Sequence, residues 1–312
     1  MNANILVETE GLPHEEWLKW RRQGIGGSDV AAILGISSWN SAIDIWLDKT
    51  GQKQEIEDST NEAMEWGTIL EPVIRTHFAN TTGKPVSEVH AILQHPQYPF
   101  MLADLDGVTI DDNGDPSILE IKTVSEYKRP EWEQGVPVYY QTQVQHYLAV
   151  TGLSLAYVAA LIGGNSFRTY KVEADPDIQR MLISLEKDFW GKVKNHIRPA
   201  IDGSDASAKF LDSLYSGGDT EELVLSSEAK TWIDEYMKST EEEDEAKTKK
   251  QEAVNHLKEL MADHETAVCG SHKISWKSVS SERFDSKALQ KEEPELYTKF
   301  VKTSSFRRFT VR

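Results

Sequence analysis

Two carboxylates and one ammonium group, Asp106, Glu120 and Lys122, stand in a stretch whose local chemistry predicts a β-hairpin. Val108–Ile110 and Ile118–Thr123 are β-prone runs, and the residues between them, Asp111 to Pro116, are dense in turn formers. In the second strand a period of two places Glu120 and Lys122 on one face and Leu119 and Ile121 on the other. Asp106 enters just before the first strand, where the turn can bring its carboxylate beside Glu120. Carboxylates held together resist joint ionisation unless a cation lies between them. Mg²⁺ suits such a pair, because it takes oxygen ligands and keeps waters, one of which can be activated against a phosphodiester. Lys122 is then placed to orient that water or to offset charge on the phosphate. The plain alternative is an acidic turn followed by an amphipathic strand with a solvated Glu-Lys pair.

Other elements must position these groups. Trp17 and Trp20 predict a short helix over Glu15–Gln23, leading into a glycine-rich turn at Gly24-Ile25-Gly26-Gly27. Ser28 suits the cap of a helix over Asp29–Leu34, and with Arg22 and free helix N–H groups it would make a phosphate socket. The Gly-Lys-Ser/Thr ending of a P-loop is absent. A further helix is expected over Ser41–Lys49, followed by a polar loop over Gln52–Asn61. From Glu62 to Asn80, Ala63, Trp66, Ile69/Leu70, Val73/Ile74 and His77/Phe78 recur at helical spacing, with Pro72 expected to kink or break the helix. Val86–Leu93 reads as a strand. Pro137 opens a helix running to about Val150, on which Gln143 and Tyr147 share a face. An amide and a phenol there could orient water or hold a phosphate, whereas Gln141 and Gln145 read as exposed. Two strands, Leu155–Ile162 and Phe167–Val172, and a long helix over Asp177–Ile197 complete an α/β core.

Five segments in order resemble the phage-type exonuclease family of the PD-(D/E)xK nuclease superfamily, which includes lambda exonuclease and the YqaJ-like viral recombinases. They are Arg22-Gln23-Gly24-Ile25-Gly26-Gly27-Ser28-Asp29, Trp66-Gly67 through Glu71-Pro72, Asp104-Leu105-Asp106-Gly107, Glu120-Ile121-Lys122 and Gln143 through Tyr147. The E-x-K element alone is common by chance; the ordered set is specific. The resemblance implies an α/β, restriction-endonuclease-like core, a central mixed sheet flanked by helices, over residues 1–198. It implies a metal site of Asp106 and Glu120 completed by Glu71, with Lys122 and Gln143 catalytic and Tyr147 binding substrate. Mg²⁺, with Mn²⁺ able to substitute, would serve 5′ to 3′ degradation of one strand from duplex DNA ends, with Arg22 and Ser28 receiving the 5′-phosphate. It further implies a homo-oligomer, a ring-shaped trimer, passing its product strand to a single-strand annealing protein in phage-type recombination. A structure-dependent or nicking endonuclease is the alternative within the superfamily, and an inactive interaction module the alternative outside it.

Composition bounds these readings. The chain has 312 residues, 39% of them hydrophobic, and a formal charge of -17. That charge argues against a protein that coats DNA non-specifically, but a local basic groove remains compatible with it. One cysteine excludes an intramolecular disulfide, and with no basic-then-apolar start or membrane-length apolar run the expected location is cytoplasmic. Beyond a linker over 199–220, residues 221–312 are expected to form a charged helical appendage, as one helix or a pair, ending in a basic-aromatic tail. Its Phe306-Arg307-Arg308-Phe309 segment is read as a DNA contact or a final strand.

Overall fold

The computed structural model describes residues 1–53, 62–215, 217–218, 221–282, 284–302 and 307–311. They divide into two compact units, Met1–Leu211 and Asp212–Arg312.

The first unit holds two four-stranded sheets. One is built from β1 (Asn4–Glu8), β2 (Ile25–Gly26), β3 (Ala91–Gln94) and β4 (Met101–Asp104), in the order β1-β3-β4-β2, with β2 parallel to β4. The other contains β5 (Gly107–Ile110), β6 (Pro116–Val124), β7 (Leu155–Ile162) and β8 (Ser166–Glu173), ordered as numbered. The expected hairpin is present: β5 and β6 pair antiparallel with Gly107 opposite Leu119 and Val108 opposite Ile118. Strand β6 then pairs in parallel with β7, Glu120 opposite Val158. A parallel pair requires a crossover, supplied here by α5 (Val138–Thr151). Pro137 precedes its first turn, and Gly152 ends it at φ +69°, a left-handed conformation that glycine adopts without strain.

The helices before that crossover are α1 (His14–Arg21), α2 (Gly27–Ile33), α3 (Ala42–Lys49) and α4 (Glu62–Thr82). Strand β6 is covered on both faces. Leu119 and Ile121 pack with Tyr157 and Ala159 against Ile74 and Phe78 of α4. Ile118, Val124 and Val158 pack on the other face with Val144 and Leu148 of α5. Two-sided burial is why a carboxylate at Glu120 is only 1% exposed. Beyond β8, α6 (Pro176–Lys194) is capped by Asp175, whose carboxylate accepts the N–H groups of Asp177 and Ile178, and α7 (Asp205–Leu214) follows within the stretch expected as a linker.

Four expectations are corrected. Helix α4 runs through Pro72 without a break: a proline removes one internal hydrogen bond, while Ile74 and Phe78 anchor the helix on the sheet. Of the expected stripe, Ile74 and Phe78 are buried as read, whereas Trp66, Ile69 and Val73 are exposed. Of the expected 86–93 strand only residues 91–93 join a ladder, as part of β3, and Ser87 makes an isolated bridge to Val108. Ser28 is not the cap of α2; Gly26 holds that position, and its N–H donates to Asp29 Oδ2 at 2.9 Å.

In the second unit the charged stretch forms one helix, α8 (Glu228–Met261), followed by a hairpin of β9 (Thr266–Cys269) and β10 (His272–Ser275) and two short helices, α9 (Ser286–Glu292) and α10 (Pro294–Phe300). The acidic run Glu241–Glu245 is exposed along α8, held by i,i+3 and i,i+4 pairs such as Lys247 with Glu243 and Asp244. Residues 307–311 carry no regular structure, and Phe306 lies outside the described residues, as does most of the loop expected over Gln52–Asn61. Among the described residues no helix is long and apolar enough to cross a membrane.

Candidate active site

The hairpin delivers the two carboxylates as its spacing implied. Asp106 Oδ2 accepts the backbone N–H of Ile121 at 2.7 Å, which pins the turn entering β5 against β6. Glu120 Oε1 receives Lys122 Nζ at 2.6 Å and Gln143 Nε2 at 2.8 Å. Gln143 also donates to the Tyr147 hydroxyl at 3.3 Å, so α5 contributes the amide and the phenol from one face. Both groups, with Glu71, Asp106, Glu120 and Lys122, line a single cleft.

Helix α4 brings Glu71 to that cleft, where it forms an ion pair with Arg75, four residues on. Arg75 reaches further than a surface pair would: its Nε donates to the Asp106 carbonyl at 3.1 Å, and a terminal nitrogen meets Glu88 at 2.5 Å. One guanidinium thereby ties α4 to the turn that carries Asp106.

Negative charge is crowded here. Burial, then the neighbouring Asp106 charge, pushes Glu120 up to about 8 against the pull of Lys122. Burial and Asp106 together push Glu71 up to about 7, opposed by Arg75. Asp106 is raised as well, by burial first, against Lys122 and the Ile121 N–H. Burial works against the Lys122 ammonium, but Glu120 and Asp106 outweigh it and its pKa is raised. Glu120 Oε2 is buried and has no hydrogen-bond partner among the described residues. A buried carboxylate oxygen without a donor, beside two more carboxylates, fits a hard cation that prefers oxygen ligands. Among the described residues no three His, Cys, Asp or Glu groups close into a cage. Mg²⁺ does not require one, since it is commonly held by one or two carboxylates and keeps several waters.

At the other end of the cleft, the structure separates the pair expected to hold phosphate. Arg22 turns to Asp48, with Nε 3.0 Å from Oδ1, and Arg21 takes the place beside Ser28, donating to its hydroxyl at 2.9 Å. Adjacent helical residues point about 100° apart, so only one of two neighbouring arginines can face the cleft. Arg21 also lies 4.9 Å from the Trp17 ring, and Trp17 Nε1 donates to Asp104 at 3.0 Å. Trp17 and Arg21 are four apart on α1, a spacing that marks them as one face. Gly27 permits the close approach behind them: a Cβ there would stand 2.5 Å from the Tyr147 ring and 3.0 Å from Gln143 Cγ.

Gln145, expected to be exposed, is buried, bonding the Glu173 carbonyl and the Asp175 N–H. Its neighbour His146 is 0% exposed, with Nδ1 2.9 Å from Glu186 Oε1 and Nε2 2.8 Å from the Leu102 carbonyl. Both partners are acceptors, so both ring nitrogens carry protons when Glu186 is ionised. Burial opposes that charge, but Glu186 and the Leu102 carbonyl outweigh it and His146 is raised.

Mixed sheets flanked by helices, with Asp106 and the Glu120-Ile121-Lys122 strand in one cleft, define a PD-(D/E)xK-related nuclease fold. Residues 16–154 match the profile of the YqaJ-like viral recombinase domain. The chain is 38% identical to the uncharacterized protein YqaJ of Bacillus subtilis (strain 168), over 99% of this chain and 98% of that protein. An alkaline exonuclease (LHK-Exo) from Laribacter hongkongensis shares the fold at TM-score 0.50 and 24% identity, covering 59% of this chain and 94% of its own. The same enzyme in complex with dAMP matches at TM-score 0.50 and 23% identity, covering 65% and 98%. This chain belongs to the YqaJ-like viral recombinase family, and with it to the PD-(D/E)xK-related nucleases.

Proposed function

We propose that the chain is a Mg²⁺-dependent deoxyribonuclease, Mn²⁺ substituting, that degrades one strand of duplex DNA 5′ to 3′ from its ends. The observation that carries this reading is the buried, unpartnered Oε2 of Glu120 within reach of the fields of Asp106 and Glu71. Asp106 and Glu120 would hold the ion, with Glu71 beside them and the Ile121 carbonyl available as a further ligand. When bound, the ion supplies a Lewis acid and a water of lowered pKa. The chain's own groups do the rest. Gln143 fixes Glu120 in one orientation, and Lys122, on the same carboxylate, would steady the attacking water or the charge growing on the phosphate. Arg21 and Ser28 receive the terminal 5′-phosphate, a charge-assisted contact that makes the DNA end the recognised feature. That LHK-Exo is named an exonuclease and has been solved with dAMP supports the choice of an end-directed reaction. The strand left behind goes to a single-strand annealing protein.

A covalently closed duplex circle tests polarity and end dependence. The expected result is rapid loss of linear DNA with a 5′-phosphate, slower loss of the 5′-hydroxyl form, and an intact circle. Equal cutting of circle and linear DNA would favour the endonuclease alternative instead. Arg21→Ala should erase the preference for the phosphorylated end, whereas Arg22→Ala should retain it.

A further inference from the structure

The cleft does not end at Lys122. Its Nζ lies 4.9 Å from the ring of Tyr140, and Tyr140 is part of an aromatic cluster that leaves the cleft and reaches solvent. Tyr140 sits 4.6 Å from Tyr139 and 6.1 Å from Trp39, and Trp39 meets Tyr139 edge-on at 5.1 Å. Below them, Trp132 is 2% exposed and 5.5 Å from Tyr140, so the cluster rests on the core. Above, Trp39 is 57% exposed, the outermost ring of the group.

The cluster is held in place by polar contacts. The loop bearing Trp39 is fixed by Ser37, whose hydroxyl accepts the N–H groups of Trp39 and Asn40 at 3.2 and 3.3 Å. Tyr139 donates its hydroxyl to Glu131 at 2.6 Å, and Lys128 meets the other oxygen of Glu131 at 2.6 Å. An exposed indole on packed aromatic neighbours, with Lys122 over the ring of Tyr140, has the composition of a base-stacking surface.

We propose that Trp39, with Tyr139 and Tyr140, is a stacking platform for one unpaired nucleobase of the DNA strand being degraded. The proposal rests on the nuclease reading of the cleft and adds a subsite to it. The position of the base follows from α5. Tyr140 and Tyr147 are seven residues apart on that helix, about 10 Å at 1.5 Å per residue. The phosphate-binding pair Arg21 and Ser28 lies at the Tyr147 end, where Gly27 abuts Tyr147 and Gln143. A strand whose terminal phosphate sits there and whose scissile phosphate lies over Glu120 and Lys122 carries its next bases toward Tyr140. At a stacked spacing of about 3.4 Å per nucleotide, the platform serves the second or third base from the 5′ end. It recognises a π-face, so it is indifferent to sequence, as a processive nuclease requires.

The test is a double-mutant cycle between protein and DNA. Binding of 5′-phosphorylated duplexes, intact or carrying tetrahydrofuran abasic residues at nucleotides two and three, is measured by fluorescence anisotropy with Ca²⁺ in place of Mg²⁺, using wild type, Trp39→Ala and Trp39→Phe. Wild type should bind the abasic duplex about tenfold more weakly. Trp39→Ala should lose about the same on intact DNA and nothing more on abasic DNA, and Trp39→Phe should resemble wild type. If wild type ignores the abasic positions, or the two losses multiply, the platform is refuted. Should Trp39→Ala fail to fold, Trp39→Leu, which keeps bulk and removes the π-face, takes its place in the cycle with the same expected and refuting outcomes. Cleavage in Mg²⁺ is recorded on the same duplexes: a cycle that closes without any cleavage would overturn the nuclease reading and keep the base contact, and normal cleavage with no coupling would do the reverse.

Discussion

In the proposed metal site, Glu120 would be a charged ligand in a place that disfavours its charge. Its folded pKa of about 8 lies well above the ~4.3 of an unfolded glutamate. The proton therefore favours the folded chain. Stability from this group is fully present below about pH 4 and is lost as the pH rises through about 8. Glu71, pushed up to about 7, acts with the same sign. A metal-free melting series should show the transition temperature falling between pH 5 and 8. Glu120→Gln should flatten that slope and melt higher than wild type at pH 8, while losing the stabilisation that Mg²⁺ confers on wild type. A Mg²⁺ shift that survives in Glu120→Gln would place the ion elsewhere. Glu120 was legible in the sequence because strand periodicity is local, whereas Glu71, on a helix, was pointed to only by the family resemblance. The choice of Arg21 over Arg22 was not legible, because it depends on which face of α1 meets the cleft.

At the scale of elements, α5 is the part whose position matters most, since it carries Tyr140, Gln143 and Tyr147 along one side of the cleft. His146 fastens it to β4 through the Leu102 carbonyl and to α6 through Glu186. Breaking such a buried pair on one side strands the other charge, at a cost of about 3–5 kcal/mol. Chemical denaturation of His146→Ala should show a loss of that order, and the double replacement His146→Leu with Glu186→Leu should recover much of it. An unchanged midpoint in His146→Ala would refute the fastening role. Gly27→Ala tests the opposite side of the same helix: the new methyl must displace Tyr147 or Gln143, so turnover should fall at least tenfold while the circular dichroism spectrum stays that of wild type. Helices, the hairpin and the β7–β8 pair could be read from spacing and turn residues. Strand β1 could not, because Asn4–Glu8 becomes a strand only by pairing with β3, far along the chain. Nor could the unbroken course of α4 through Pro72, which is settled by the anchorage of Ile74 and Phe78. Gln145 misled for a related reason: a polar residue on a helix reads as solvated until its buried partners, the Glu173 carbonyl and the Asp175 N–H, are known.

For the molecule as a whole, the charge of -17 opposes DNA, and within the carboxylate-rich cleft Arg21, Arg75 and Lys122 are the cations left to meet phosphate. Binding should therefore be strongly salt-dependent despite the acidic composition, weakening steeply as ionic strength rises. We propose a ring-shaped homotrimer as the working form, which would leave acidic surface outside and focus the field of the few cations within. Light scattering with and without a duplex end should report three chains; a monomer that still degrades long DNA in one encounter would break the link between ring and processivity. The central claim, however, concerns the cleft and is independent of assembly. It is tested most directly by following hydrolysis of a linear, 5′-phosphorylated duplex by wild type, Glu120→Gln and Lys122→Met, each with Mg²⁺ and with EDTA, beside the circular dichroism of each protein. The account predicts cleavage by wild type in Mg²⁺ alone, and none by either folded variant. Cleavage in EDTA, or full activity in both variants, would contradict it.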